Sequence, residues 1–463
     1  MNRFLKYCFA LVSVIIIGSC TSSNKEQFTY FGGKIIHPKS DFVLLYKNDK
    51  LIDSLFLDQD DKFIGSYKNF EEGFYYFIHG NENQYIYFEP KDSISIRLNT
   101  WDFDESLVFS GIGADKNNIL IDYFLENEKQ RYNHTIYSYY RLKPAKFKAK
   151  LDSLLVLRQK KIDVFKERQT DALPEKYTQI LEVIAKYTIY NRFERYPARH
   201  KELQKTKQYP TLNENFYDYR KNIDINNSDL MYVRSYTQYI VNRLYNNVYT
   251  QGLSSNSNEF TVALLNTINN NITSEKLKNT FLRQIVLNDF IDNSSCGLNK
   301  QAFYTYFKLS SDIEDKKEIQ RVINDTKRVH AGIQLPTFNV FDFNNTKQSI
   351  NKLTKNKNSV IYLWNPKYTS KEYLVSRINF LSKKFPNLHF VGVKISTSAT
   401  KKPIKGIDIK NQFFINTDSK ANEFLTSQLT RTLLVNKKGI IVNGYASLTS
   451  SKINKQLEVL QKN

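Results

Sequence analysis

The last third of the chain alternates strand and helix in an order that few folds accept. Ser359-Val360-Ile361-Tyr362-Leu363-Trp364 is a continuous apolar run of the kind that forms a strand buried on both faces. Leu374, Ile378, Leu381 and Phe385 follow at helical spacing and give one apolar stripe. Phe390-Val391-Gly392-Val393-Lys394-Ile395 is a second central strand, and Asp418 or Ser419 is placed to cap a helix carrying Ala421, Phe424 and Leu425. Leu433-Leu434-Val435, the turn Asn436-Lys437-Lys438-Gly439 and Ile440-Ile441-Val442 form a hairpin, and Ile453, Leu457 and Leu460 line a closing helix. With a strand near Phe338 in front, the order β-α-β-α-β-β-α predicts a sheet covered by helices on both faces.

The rest of the chain has two other textures. From about 28 to 112 it alternates in the strand manner. Phe42 to Tyr46 runs into the polar turn Lys47-Asn48-Asp49-Lys50, Tyr75 to Asn81 precedes Tyr85 to Phe88, and Ile94, Ile96 and Leu98 share one face. This predicts a small antiparallel, sandwich-like β domain. From 113 to 330 the period is helical. Leu151, Leu154, Leu155, Ile162 and Phe165 fall on one stripe, and Ile180, Ile184, Tyr187 and Phe193, then Leu277, Phe281, Ile285 and Phe290, mark further helices. The region is rich in Tyr, including Tyr137, Tyr139, Tyr140, Tyr217, Tyr219, Tyr236 and Tyr239. Interleaved with Lys, these rings offer a stacking surface for sugars; at helical spacing they also serve as boundary packing.

The N-terminus says where the chain goes. Arg3 and Lys6 precede an apolar run from Phe9 to Ile17 that is short for a bilayer span, and Ile17-Gly18-Ser19-Cys20 follows. That segment resembles a bacterial lipobox, in which Cys20 is lipidated and becomes the mature N-terminus. The alternative is an uncleaved N-terminal anchor; both export the chain. Residues 1–20 are then a lipoprotein signal peptide and 21–27 a polar tether. Thr21, rather than Asp, after the lipidated Cys favours the outer membrane by resemblance to the sorting rule of enteric bacteria. Lys and Arg total 67 against 46 Asp and Glu, a formal charge of +21. In an envelope such a charge meets lipid head groups or acidic polymers, not nucleic acid, or simply forms a solvated surface.

Residues 331–463 carry a specific resemblance. Gly332, Pro336 and Phe338 match the Gly-x-x-x-Pro-x-Phe entry of the TlpA/ResA family of thioredoxin-like proteins, and Trp364 matches the Trp that ends that family's central strand. The resemblance implies an α/β thioredoxin-like fold, so the whole chain is expected to be multidomain: β-sandwich-like, α-helical, then thioredoxin-like. It places the family's Cys-x-x-Cys at positions 368 and 371, where this chain has Tyr368 and Lys371, and its cis-proline near Thr430. The arrangement also looks like the envelope lipoproteins of Bacteroidetes, whose β domain carries Asp-Ser-aliphatic elements and a Gly-rich step; Asp53-Ser54-Leu55, Asp92-Ser93-Ile94 and Ser110-Gly111-Ile112-Gly113 share that look.

Thiol–disulfide exchange needs an attacking thiolate and a resolving thiol. No cysteine lies between 297 and 463, and the third cysteine besides Cys8 and Cys20 is Cys296. The expectation is a cell-envelope lipoprotein with a redox-inactive thioredoxin-like domain. That domain would act as a binding or scaffolding module, with Trp364, Tyr368, Lys371 and Thr430 around a groove for an envelope protein or extended peptide. Two alternatives stand beside it: a thiol-disulfide oxidoreductase working through Cys296 or a partner's thiols, and an outer-membrane polymer- or glycan-binding lipoprotein. No cofactor and no metal is expected. Asp58-Gln59-Asp60-Asp61 begins like a calcium loop, but Phe63 stands where its glycine belongs, so a hairpin turn is expected there. The six His never come within four residues of one another.

Overall fold

A computed structural model describes residues 28–80, 82–133, 135–255, 257–293, 298–365, 369, 371–395, 403–416, 419–427, 430–450 and 452–462. The lipobox with Cys20, the tether, Cys296 and Tyr368 lie outside the described residues. The chain divides into two compact units, one ending at Ile121 and the other running to the C-terminus, so that the helical and α/β regions share a unit.

In the first unit the strands are β1 (Phe28–Ile36), β2 (Phe42–Lys47), β3 (Lys50–Phe56), β4 (Lys62–Lys68), β5 (Gly73–His79), β6 (Glu82–Phe88), β7 (Ser93–Asn99) and β8 (Val108–Ile112). They form two four-stranded sheets, ordered β4-β1-β7-β8 and β3-β2-β5-β6. Their alternating apolar residues meet between the sheets: the Phe31 ring of β1 lies 5.8 Å from Phe77 and 5.6 Å from Phe88 of the other sheet, and 5.2 Å from Phe63 of its own. Two expectations need correcting. The domain is mixed, not antiparallel, because β1 pairs with β7 in parallel; the chain leaves the first sheet to build β5 and β6 and re-enters beside β1 running the same way. The segment from Asp58 is not a hairpin turn either. It carries the chain from β3 in one sheet to β4 in the other, with the Asp58 carboxylate accepting the N–H groups of Asp60 and Lys62, each at 2.9 Å.

The Gly-rich step closes this unit. Gly111 has φ 93°, and a Cβ there would sit 2.1 Å from the Ser93 carbonyl oxygen. Gly113 has φ 92°, and a Cβ there would sit 2.5 Å from the Asp92 carboxylate. Only glycine fits either position. Asp92 is consequently buried against the backbone, where it accepts the Glu89 N–H at 2.7 Å. Burial pushes its carboxyl from 3.8 up to about 6. Such a group carries no charging penalty below the unfolded value and its full penalty above the folded one. Asp92→Asn is therefore expected to raise stability by about 1–2 kcal/mol well above pH 6 and to have no effect below 3.8. Thermal unfolding of both proteins at the two pH values checks this; a gain of the same size at both would contradict it.

In the second unit, helices Pro144–Glu167 and Glu175–Gln204 pack through an aromatic cluster centred on Phe147, which is fully buried. Its ring lies 4.1 Å from Tyr196, 5.7 Å from Phe193, 5.8 Å from Tyr140 and 6.2 Å from Phe216. The Tyr residues singled out above mostly belong to packing of this kind. Tyr140, Tyr236 and Tyr239 are buried, Tyr139, Tyr217 and Tyr219 half-buried, and Tyr137 exposed. Beneath them Glu194 is buried, accepting from Tyr219 Oη at 2.7 Å, Arg220 Nε at 2.8 Å and Asn246 Nδ2 at 2.8 Å.

The C-terminal sheet holds β9 (Asn339–Phe341), β10 (Lys347–Ser349), β11 (Ser359–Trp364), β12 (His389–Lys394), β13 (Gln412–Phe414), β14 (Arg431–Val435) and β15 (Ile441–Ala446), in the order β10-β9-β13-β12-β11-β14-β15. β11 is central, parallel to β12 and antiparallel to β14, and every residue in it is buried. Val360, Tyr362 and Trp364 face Leu374, Ile378 and Leu381 of helix Lys371–Lys384 and Ile453, Leu457 and Leu460 of helix Ile453–Lys462. The expected helix after Ser419 is only a short 3₁₀ turn, Lys420–Glu423, capped by the Ser419 side chain; Asp418 lies outside the described residues. Instead the opposite face packs against helix Ile313–Val329. The Tyr445 hydroxyl of β15 bonds the Val322 carbonyl at 3.3 Å, and a Cβ on Gly444 would sit 1.8 Å from the Val329 carbonyl oxygen.

Candidate functional site

A cleft of about 520 Å³ opens at the C-terminal end of β11. The strand delivers Leu363 and Trp364 to one wall, helix Lys371–Lys384 contributes Tyr373 and Leu374, and the start of β14 brings Thr430 and Thr432 to the other. The loop after β15 completes it with Ser447, Leu448 and Thr449. The helix is held to that loop by Arg377, whose Nε donates to the Leu448 carbonyl at 2.8 Å. Of the residues expected around a groove, Trp364 and Thr430 both line this cleft. Lys371, the first residue of the helix, is exposed and does not line it.

The chemistry of the walls is hydroxyl and aromatic. Thr369, Thr430, Thr432, Ser447 and Thr449 supply hydroxyls. The Thr432 side chain is 1% exposed, and its Oγ1 has no hydrogen-bond partner among the described residues. A buried hydroxyl left unpaired costs free energy. With Thr432 closed off, the hydroxyls the cleft presents to a ligand are those of Thr369, Thr430, Ser447 and Thr449. The Tyr373 phenol is pushed up by burial, so it stays a neutral donor. None of the lining residues is a cysteine, and these groups can hold a ligand but cannot exchange a disulfide.

Sequence reasoning missed Lys394. It ends β12 beside Trp364, is 5% exposed, and carries its Nζ 6.0 Å from the Trp364 ring centroid. Burial, with the charge of Lys371 added, pushes its ammonium below the ordinary value. The signal was present: a lysine closing an otherwise apolar central strand. Two of the described histidines are half-buried or buried and tied to neighbouring strands or loops. His79 accepts the Lys39 N–H at 2.9 Å through Nε2, and His389 Nε2 meets Asn411 Oδ1 at 3.2 Å. Among the described residues no cluster of His, Cys, Asp and Glu is arranged to hold a metal, and no helix is long and apolar enough to cross a membrane.

No protein-family model and no curated protein matches the chain. Solved structures do resemble it. The thioredoxin domain of a thiol-disulfide oxidoreductase from Bacteroides vulgatus is similar at 20% identity over 28% of this chain and 97% of its own, with a TM-score of 0.23. A thioredoxin-like protein from Bacteroides caccae is similar at 10% identity over 52% of this chain and 89% of its own, TM-score 0.31. The exposed lipoprotein thioredoxin of Streptococcus pneumoniae is similar at 13% identity over 27% of this chain and 99% of its own, TM-score 0.22.

Proposed function

We propose that residues 331–463 form a thioredoxin-like module that has kept a ligand cleft and given up thiol chemistry, carried on an envelope lipoprotein anchored through Cys20. The observation that supports this best is the cleft itself. It lies where the central strand gives way to a helix, yet its walls carry hydroxyls and aromatic rings in place of a thiol. No cysteine occurs anywhere from 297 onward. The ligand proposed is an extended peptide segment of an envelope protein, whose backbone amides would pair with the Thr430 hydroxyl at the start of β14 while a side chain packs on Trp364.

Trp364 makes the reading testable, since the chain has 2 tryptophans and the other, Trp101, is exposed and stacked on His37 at 3.8 Å. In a Trp101→Phe background the remaining emission reports on the cleft. Extended peptides drawn from envelope proteins are expected to shift it. Thr430→Val, at the accessible hydroxyl beside β14, should then weaken binding about tenfold, the worth of one well-made hydrogen bond. Thr432→Val should leave binding unchanged and stabilise the fold by about 1 kcal/mol, because an unpaired buried hydroxyl is removed. Binding untouched by Thr430→Val, or no peptide that shifts Trp364, would count against the peptide cleft.

A further inference from the structure

The outer face of the first sheet carries a site that the C-terminal cleft does not explain. Strand register places Lys62 of β4 opposite Lys34 of β1, and Lys34 beside Arg97 of β7. Three cations thus stand in one row across three adjacent strands, all exposed. At ~4.8 Å between strands the row spans ~10 Å. Like charges in direct cross-strand register destabilise a sheet, and acids offset only part of the row. Lys62 pairs with Asp60 at 3.3 Å, whereas Lys34 and Arg97 have no ion pair among the described residues. The exposed carboxylate of Asp58 also lines this end of the face, where it accepts two backbone N–H groups and attracts both Lys62 and Lys34. That leaves Arg97 as the cation of the row with no acid beside it among the described residues.

Next to the row the face is a trough of about 640 Å³ with a floor of small residues. Gly32 faces Ser95, and Ser95 faces Ser110, whose hydroxyl bonds the Ser95 carbonyl at 3.2 Å. A Cβ on Gly32 would sit 2.7 Å from the Phe63 carbonyl oxygen, so this part of the floor must stay flat. Tyr30, 39% exposed, and Ile64, 74% exposed, stand on the same face. A flat floor of hydroxyls and backbone, one exposed phenol and a line of cations at strand spacing suit a ribbon of sugar rings bearing negative groups. On such a chain the ring faces would lie on Tyr30 and the serines while carboxylates would reach Lys34 and Arg97.

We infer that this sheet face binds an acidic polysaccharide, a uronate-type chain rather than a simple anion. The site is independent of the peptide cleft. The test titrates full-length protein in detergent with an oligogalacturonate of defined length, with neutral maltooligosaccharide and with inorganic polyphosphate. Lys34→Ala with Arg97→Ala is expected to lower oligogalacturonate affinity roughly 100-fold, at about tenfold per charge-assisted contact. Lys160→Ala with Lys176→Ala, a charge-matched control on exposed helical positions, should change it less than about twofold. Tyr30→Ala should weaken oligogalacturonate but leave polyphosphate unchanged. Thermal melts no lower than the parent's keep the variants interpretable, since all three residues are exposed and removing like charges from the row relieves repulsion. Equal losses in the row variant and the control, no loss in the row variant, or a Tyr30 effect shared by polyphosphate would each overturn the assignment.

Discussion

Replacing Asp325 by alanine is expected to cost about 3–5 kcal/mol of stability in the second unit, the range for breaking one side of a buried ion pair. Asp325 is 1% exposed and Arg431 4% exposed, and their side chains meet at 3.3 Å. The carboxylate also accepts the Thr426 hydroxyl at 2.9 Å and the Ser427 hydroxyl at 2.6 Å, with their backbone N–H groups at 3.3 and 3.2 Å. Alanine would leave the Arg431 guanidinium buried, charged and without this acid, and would strand those donors. The effect reaches the cleft because Arg431 sits between Thr430 and Thr432. Joint replacement by Asp325→Leu and Arg431→Met should recover the part of the loss that comes from the uncompensated guanidinium, while the Thr426 and Ser427 donors stay without their acceptor. Urea unfolding of the three proteins measures both effects. A loss below about 1 kcal/mol for Asp325→Ala would mean that the pair is hydrated and does not join helix Ile313–Val329 to the sheet.

A second large effect is expected at Phe147. Its ring contacts four others and none of its surface is exposed, so Phe147→Ala removes a full aromatic side chain from a packed cluster. The expected cost is about 3–5 kcal/mol. Tyr137→Ala, at a residue 51% exposed, should stay within about 0.5 kcal/mol. The contrast separates two roles for the aromatic-rich helical region. If Tyr137→Ala destabilised as strongly as Phe147→Ala, the ring would be part of the core; if Phe147→Ala cost little, the cluster would be able to collapse around the hole. Thermal unfolding followed by far-ultraviolet circular dichroism distinguishes these outcomes.

How much of this was legible in the sequence differs by element. The central strands β11 and β12, the helix between them, the β14–β15 hairpin and the closing helix follow from periodicity alone, because buried strands and one-sided helices leave long regular patterns. The three-residue strands β10 and β13 left no such pattern. The parallel pairing of β1 with β7 was hidden for a different reason: alternation fixes which face a residue takes, not which strand lies beside it or in what direction. Helix Ile313–Val329 shows the same limit. Its stripe of Ile319, Val322, Asp325 and Val329 is buried against a sheet much later in the chain, and an amphipathic pattern does not name its partner. Asp325 on that apolar stripe was the available clue. Of the site, Trp364 and Thr430 were reached through the resemblance and do line one cleft. The unpaired hydroxyl of Thr432 shows only in the fold, since threonine does not announce burial by itself, whereas Lys394 left a readable sign as the lysine that closes an apolar central strand.

The central proposal is that the thioredoxin-like region works without a thiol. The most direct measurement is reduction of insulin disulfides by the full-length protein and by its Cys296→Ser variant, with dithiothreitol as electron donor. Both proteins are expected to match the rate of dithiothreitol alone. Turnover above that rate that disappears in the Cys296→Ser variant would contradict the proposal and move the reactive centre to Cys296.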